Sequence, residues 1–312
     1  MTRTIAVTGG SGFLGAAIIR LLLENGDKVK ALARRPGSLR LPEADNLEVV
    51  EGSLEEADSL ARLAEGADAL VNSAGLTHAR SDEEFREVNA RGAGNAATAA
   101  LNAGAYFLHV SSIAARRPEL SAYAQSKRDG ETAVQSASGQ RWVALRAPAI
   151  YGPGDRATLP YFKLVRSGLA PEPAQHPEPR ASILYVEDVA VAVASVLDDP
   201  PPAGIYDIGD EQCDGRSWRE IGATLAATLN VTARRIRAPQ PVLAGYAGLS
   251  SAIARATGRA PMITPGKIRE FFHSDWVARE NLLSAATGWR PRTPLNEGFA
   301  KTVRWYQEHG WL

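Results

Sequence analysis

The chain has one cysteine, Cys213, among 312 residues, so no intramolecular disulfide can form and no thiolate cluster is available to hold a metal. It has no excess of either charge. Its 35 basic side chains are matched by 35 acidic ones, which argues against a molecule-wide footprint for nucleic acid or an anionic membrane and leaves open only a local basic patch. No uncharged apolar run reaches the roughly eighteen residues of a membrane-spanning helix, and strand-like residues begin by Thr4, leaving no room for a signal peptide. The five histidines, His78, His109, His176, His273 and His309, show no i, i+4 pair and no adjoining carboxylate motif, so no metal site is expected. Internal repeats and low-complexity tails are also missing. What remains is a globular chain long enough for one compound domain or two lobes, expected in the cytoplasm.

What is present starts with Thr4-Ile5-Ala6-Val7-Thr8, a short β-branched run, followed by Gly9-Gly10-Ser11-Gly12-Phe13-Leu14-Gly15. Phe13, Leu14, Ala17, Ile18, Leu21 and Leu22 then recur at helical spacing, with Arg20 and Glu24 on the other side, so an amphipathic helix runs from the glycines to about Asn25-Gly26. A helix that begins at a glycine turn presents unpaired amides and a positive dipole end, which suit a pyrophosphate, and the glycines let the backbone approach it. The pattern predicts a dinucleotide site, in the TGxxGxxG form rather than G-x-G-x-x-G. A second strand is expected over 28–33. At its end a free ribose 2′-hydroxyl would be met by a carboxylate, but the chain offers Arg34 and Arg35, and the next acid is Glu43. Two guanidiniums suit a 2′-phosphate, so NADP is expected over NAD.

Tyr123 and Lys127 are four residues apart in Tyr123-Ala124-Gln125-Ser126-Lys127, which puts them on one helix face. A phenol of pKa roughly 10 needs a shift of about 3 units, or about 4 kcal/mol, to exchange protons at neutral pH, and a lysine cation shifts it in that direction. Strand and helix patterns alternate through the first half: 47–51, 55–64, 69–72, 83–102, 106–111, 121–137 and 142–146. The fold class expected is α/β, a Rossmann-type doubly wound parallel sheet with a smaller, interleaved C-terminal substrate lobe. The nucleotide-binding domain is placed at 1–165, its sheet completed by about 181–210, and the substrate lobe mainly within 166–312. In that lobe, 182–186 and 204–208 read as a return to the sheet. The proline-rich 171–179 reads as an extended surface loop. The stretch 239–260, rich in Ala, Gly and Leu, reads first as packing, then as a hydrophobic lid or a membrane-touching helix.

With Thr8-Gly9-Gly10-Ser11-Gly12-Phe13-Leu14-Gly15, Ser111-Ser112 and Tyr123-Ala124-Gln125-Ser126-Lys127 in order, the chain resembles the short-chain dehydrogenase/reductase superfamily from end to end. The stretches 145–155, 185–190 and 288–306 are similar to its extended branch, the NAD(P)-dependent epimerase/dehydratase family. The resemblance implies a catalytic triad of Ser112, Tyr123 and Lys127. Tyr123 would exchange the substrate proton, Lys127 would hold the nicotinamide ribose and lower the tyrosine pKa, and Ser112 would hydrogen-bond the reacting oxygen. It also implies cofactor contacts from Gly9, Gly12, Phe13, Leu14, Ser53, Leu54, Ser73, Ala74, Pro148 and Ile150, beside Arg34 and Arg35. Ser112 would sit at the carboxyl end of a parallel strand, where doubly wound sheets put their sites.

The chain departs from the family pattern in several places. Ser53 stands where an Asp is frequent, so a weaker hydroxyl contact to the adenine side is expected. Asn72-Ser73-Ala74-Gly75 is closer to the shorter-chain branch, and only 11 positions from Ser112 to Tyr123 imply a trimmed pocket loop. Asn89 matches a frequent family asparagine and is read as a helix-packing residue. The expected function is an NADP-dependent oxidoreductase, with NADPH and a small, partly apolar carbonyl or secondary alcohol as its ligands. The alternatives are a nucleotide-sugar epimerase or dehydratase that recycles its cofactor, and a cofactor-binding protein without turnover. Proteins of this resemblance commonly pair as homodimers through helices.

Overall fold

The computed structural model describes residues 2–39, 41, 44–210, 212, 214–257 and 263–312; Cys213 and the last residues of the 239–260 stretch lie outside the described residues. The strands are β1 (Thr4–Thr8), β2 (Lys28–Ala33), β3 (Leu47–Glu51), β4 (Ala69–Asn72), β5 (Tyr106–Ser112), β6 (Trp142–Ala147) and β7 (Ala149–Tyr151). They continue as β8 (Leu169–Pro173), β9 (Arg180–Ala181), β10 (Ile183–Tyr185), β11 (Gly204–Asp207), β12 (Arg216–Ser217), β13 (Arg234–Ala238) and β14 (Asp275–Trp276). The helices are α1 (Phe13–Glu24), α2 (Ala57–Ala64), α3 (Asp82–Phe85), α4 (Gly92–Asn102), α5 (Ala122–Ala137) and α6 (Leu159–Arg166). After them come α7 (Val186–Asp198), α8 (Trp218–Thr228), α9 (Gln240–Thr257), α10 (Pro265–Phe271), α11 (Leu283–Thr287) and α12 (Leu295–Glu308).

The chain divides into two compact units, each drawn from separate stretches. The first comprises Met1–Ala147, Ala190–Ile208 and Glu280–Trp289. It holds a seven-stranded sheet in the order β11-β6-β5-β4-β1-β2-β3, every pairing parallel. Central strands of such a sheet are covered on both faces and need continuous apolar runs rather than alternation. Ile5, Ala6 and Val7 are accordingly all fully buried. One core cluster joins Leu32, Leu60, Leu63, Leu70, Phe107 and Trp142 to the alanine face of α4, formed by Ala93, Ala96, Ala97 and Ala100. Those small side chains let the helix backbone lie close to the sheet. Each Leu or Phe buried there contributes about 1.5–3 kcal/mol.

Between α3 and α4 the backbone widens into a π-helical segment, Arg86–Arg91, so the helix expected over 83–102 is a continuous run of α, π and α turns. Of the two segments expected to rejoin the main sheet, 204–207 does so as β11, pairing Gly204 with Val143. The segment 183–185 does not. As β10 it pairs with β7 in a separate two-stranded sheet, Ile183 opposite Ala149 and Tyr185 opposite Tyr151. Pro148, between β6 and β7, has no backbone N–H with which to continue a ladder.

The second unit comprises Pro148–Val189, Gly209–Arg279 and Arg290–Leu312. Its core packs Tyr151, Phe162 and Phe299 with rings edge to face at 4.9 and 5.4 Å, beside Ile221, Leu225 and Tyr306. The helix α8 opens on a capping box, Ser217 accepting from the Glu220 amide while the Glu220 carboxylate accepts from the Ser217 amide. The proline-rich stretch is only partly a loop. Its first part is β8, held in parallel register to β13 with Leu169 opposite Arg234 and Pro173 opposite Ala238. A two-stranded pair leaves one side of β8 without a ladder partner, which is where prolines are tolerated.

Candidate active site

All parallel strands of the main sheet end on one edge, so Thr8, Ala33, Glu51, Asn72 and Ser112 deliver their following loops to the same side. The glycine loop follows Thr8. Gly9 has φ +77°, a left-handed conformation that side chains disfavour, and its carbonyl accepts from the Gly12 amide at 2.9 Å. A Cβ on Gly15 would lie 2.2 Å from the Gly9 oxygen, and one on Gly9 would lie 2.6 Å from the Ala74 nitrogen. The loop is therefore wedged between α1 and the chain leaving β4. Ser73 and Ala74 lock it there: Ser73 Oγ donates to the Thr8 carbonyl at 2.7 Å and the Ala74 amide to Thr8 Oγ1 at 3.3 Å.

Gly12 caps α1 with no side chain bonded to the first-turn amides, no acidic residue stands in that turn, and Phe13 and Leu14 open the helix half-buried. Uncapped amides, a dipole end and glycines at close approach are the cradle a pyrophosphate requires, so the chain's own residues fit a dinucleotide. Arg34 and Arg35 leave the end of β2 exposed, their guanidiniums without hydrogen-bond or ion-pair partners among the described residues. At the end of β3, Ser53 Oγ accepts from the Glu55 amide at 3.3 Å, while Leu54 is buried against Gly92 and its carbonyl accepts from Asn95 at 2.9 Å.

Ser112 is the last residue of β5, and its Oγ accepts from the Ala114 amide at 3.2 Å, capping the short helical turn Ile113–Arg116. Ser121 caps α5, whose first turns carry Tyr123 and Lys127. Lys127 is 5% exposed and donates from Nζ to the Val110 carbonyl at 2.8 Å. Burial pushes its pKa down to about 8, against the opposing pull of Glu131 one turn further on. A Cβ on Gly75 would stand 3.9 Å from Lys127 Nζ, so the ammonium sits beside the loop that follows β4. Tyr123 is half-buried with its ring 6.0 Å from that of Phe85. The structure thus gathers the first-unit candidates along one sheet edge. Pro148 and Ile150 belong to the second unit: Pro148 directly follows Ala147, the register partner of Ser112, and Ile150 pairs with Leu184 in β7 and β10.

Several residues that support this edge escape sequence reasoning. Thr8 Oγ1 donates to Asn72 Oδ1 at 2.5 Å, and Asn72 Nδ2 lies 3.1 Å from His109 Nδ1, a chain of polar groups threading three adjacent strands. Burial first, and the Lys127 cation second, hold the His109 pKa well below its ordinary value, so the ring is neutral. Its presence inside an apolar strand was the available signal. Asn89 does more than pack helices. Its amide accepts from the Leu76 N–H at 2.7 Å and donates to the Leu76 carbonyl at 3.0 Å and to Ser126 Oγ at 2.9 Å. Ser126 in turn donates to the Tyr123 carbonyl at 2.8 Å, linking the Gly75-Leu76 loop to the helix that carries Tyr123. Beneath, Arg146 grips the buried Glu131 with two bonds of 2.8 Å and Ser111 donates to the same carboxylate at 2.7 Å, which fixes α5 against β5 and β6. Among the described residues no group of His, Cys, Asp or Glu is arranged to hold a metal ion.

Comparison with known proteins adds to this geometry. The ceramide reductase of Caulobacter vibrioides is 39% identical over 309 residues, covering 99% of this chain and 96% of the relative. Among solved structures, gox2253 superposes with a TM-score of 0.77 at 23% identity, covering 100% of both chains. The Bordetella bronchiseptica enzyme WbmG, solved with NAD and UDP, superposes with a TM-score of 0.75 at 19% identity over 99% of this chain and 96% of its own. These two likenesses concern the fold. The family model for the NAD dependent epimerase/dehydratase family matches residues 5–209. Glycine loop, parallel sheet and full-length kinship agree: the chain belongs to the NAD dependent epimerase/dehydratase family, within the extended short-chain dehydrogenase/reductases, and is an NAD(P)-dependent enzyme of that type.

Proposed function

We propose that this protein is an NADP-dependent carbonyl reductase in which Tyr123 is the proton donor, acting on an apolar carbonyl compound of the ceramide class. The observation that carries the assignment is the placement of Tyr123 one helical turn from a buried lysine whose Nζ reaches the chain after β4, with Ser112 at the neighbouring strand end. The loop at Gly9, Gly12, Phe13 and Leu14 would hold NADPH, which would supply the hydride when bound. Arg34 and Arg35 would pair with the 2′-phosphate, and Ser53, Leu54, Ser73 and Ala74 would flank the cofactor. Ser112 Oγ donates a hydrogen bond to the carbonyl oxygen, and the Tyr123 hydroxyl gives that oxygen its proton. Lys127 is a cation at neutral pH, since its pKa is about 8, and it stabilises the phenolate that remains until solvent returns the proton. Substrate choice is assigned to the C-terminal lobe, with Pro148 and Ile150 at its start.

The ceramide class is supported by the 39% identical relative of nearly equal length that bears the name ceramide reductase. The test is NADPH oxidation across long-chain keto lipids, simple ketones and nucleotide sugars, with Tyr123→Phe beside the native enzyme. Keto-lipid-dependent oxidation that drops about a hundredfold to ten-thousandfold in kcat in the variant is expected. Conversion of a nucleotide sugar without net oxidation of NADPH would replace the reductase by an epimerase. Turnover indifferent to Tyr123→Phe would remove the proposed acid.

A further inference from the structure

The second unit carries a surface that the reductase chemistry does not use. Between Glu220 and Glu270 the sequence has no acidic residue but six arginines and Lys267, within a chain whose charges cancel overall. In β13, Arg235 and Arg237 share the single buried carboxylate of Glu172, and Arg234 is exposed with no partner among the described residues, so the strand is net positive. Ile236 and Leu169, 38% and 40% exposed, lie on the Arg234 face, because Arg234 registers with Leu169 and Ile236 is two residues on. Through Pro239 this strand runs directly into α9. There Val242, Tyr246 and Leu249 are 66%, 59% and 62% exposed. Their i, i+4, i+7 spacing makes one stripe, whereas Leu243 and Ala247 turn inward to Ile268 and Phe272 of the α10 segment. From 241 to 249 the helix shows solvent no charged side chain.

We infer that this surface docks on an anionic lipid bilayer, with the α9 stripe entering the acyl boundary and Arg234, on the outward face of β13, meeting the headgroups. An uncharged stripe with a tyrosine at its centre, following a net positive strand, is the arrangement of an interfacial helix. The positive charge selects the occupant. A second copy of this surface would set Arg234 against Arg234, whereas anionic headgroups attract a basic side chain near the surface. None of the described helices is long and apolar enough to cross a membrane, so the contact is peripheral. Docking goes beyond the reductase assignment and does not rest on Tyr123.

Flotation of the full-length protein with vesicles of phosphatidylcholine, alone or mixed with phosphatidylglycerol, tests it. The protein should float with the mixed vesicles, far less with neutral ones, and less again at about 0.5 M salt. The double variant Val242→Glu, Leu249→Glu and the single variant Arg234→Glu should each lower the bound fraction about tenfold or more while NADPH binding is unchanged. Tyr246→Trp gives a readout that survives any misfolding of the other variants: brominated lipid in the mixed vesicles should quench the new indole. Absence of flotation, flotation unaffected by the glutamates, or an unquenched Trp at 246 overturns the inference. So does sedimentation showing a dimer that Val242→Glu, Leu249→Glu dissolves, which would give the face to a second copy.

Discussion

Lys127 is a cation in an apolar place: 5% exposed, it spends one donor on the Val110 carbonyl and has Glu131 one turn away. Burial lowers its pKa from 10.5 to about 8, so across that window the unfolded chain holds a proton that the folded one has released. Stability from this residue therefore rises as pH climbs from about 8 towards 10.5 and is unavailable below 8, where the buried site must carry the charge. Lys127→Met removes the dependence. Urea midpoints should show native protein gaining on the variant through that window, on the order of 2–3 kcal/mol in all. The role proposed for Arg34 and Arg35 belongs to the same scale and is tested through the ligand. Replacing both with Ala should weaken NADPH about tenfold to a hundredfold and leave NADH nearly unchanged, read by fluorescence titration, since charge-assisted bonds contribute about 1.5–3 kcal/mol.

At the scale of elements, the approach of α5 to the π-helical segment is set by Gly130. A Cβ there would lie 2.4 Å from the Asn89 carbonyl oxygen, a backbone atom that cannot swing aside. Gly130→Ala gains about 1 kcal/mol in helix propensity, but the overpacking costs about 1–3 kcal/mol, so a net loss in thermal stability is expected, together with a lower kcat as Tyr123 and Lys127 move with their helix. Strand β1, the glycine turn and α1 were legible because their signal is local: β-branched residues, then glycines, then apolar residues at helical spacing. The four-residue spacing of Tyr123 and Lys127 was legible for the same reason. What pins them was not, because Asn89 meets Leu76 and Ser126 across 13 and 37 residues and His109 meets Asn72 across 37, and no period in the sequence encodes such pairings. The return of 183–185 to the main sheet was misjudged on similar grounds. Its apolar pattern suits any parallel pair, and a partner was available in β7.

For the whole molecule, the α/β class followed from alternating strands and helices, whereas the second unit's organisation was hidden in two-residue strands and in pairings such as Arg234 with Leu169. A ligand that binds only the folded chain stabilises it by mass action, about 2.7 kcal/mol at a hundredfold excess over Kd. Differential scanning calorimetry should show NADPH raising the unfolding temperature more than an equal concentration of NADH. The two units are woven, with the chain changing from one to the other after Ala147, Val189, Ile208, Arg279 and Trp289. Strand β11, which covers the outer edge of β6, arrives from beyond the first of those changes. A gene fragment ending at Ala147 would bare that edge and invite aggregation. Exchange of specificity among relatives by a single crossover is closed for the same reason: recombination must graft several short segments at once, and substrate range in this lineage is expected to drift by point substitution rather than by shuffling of modules.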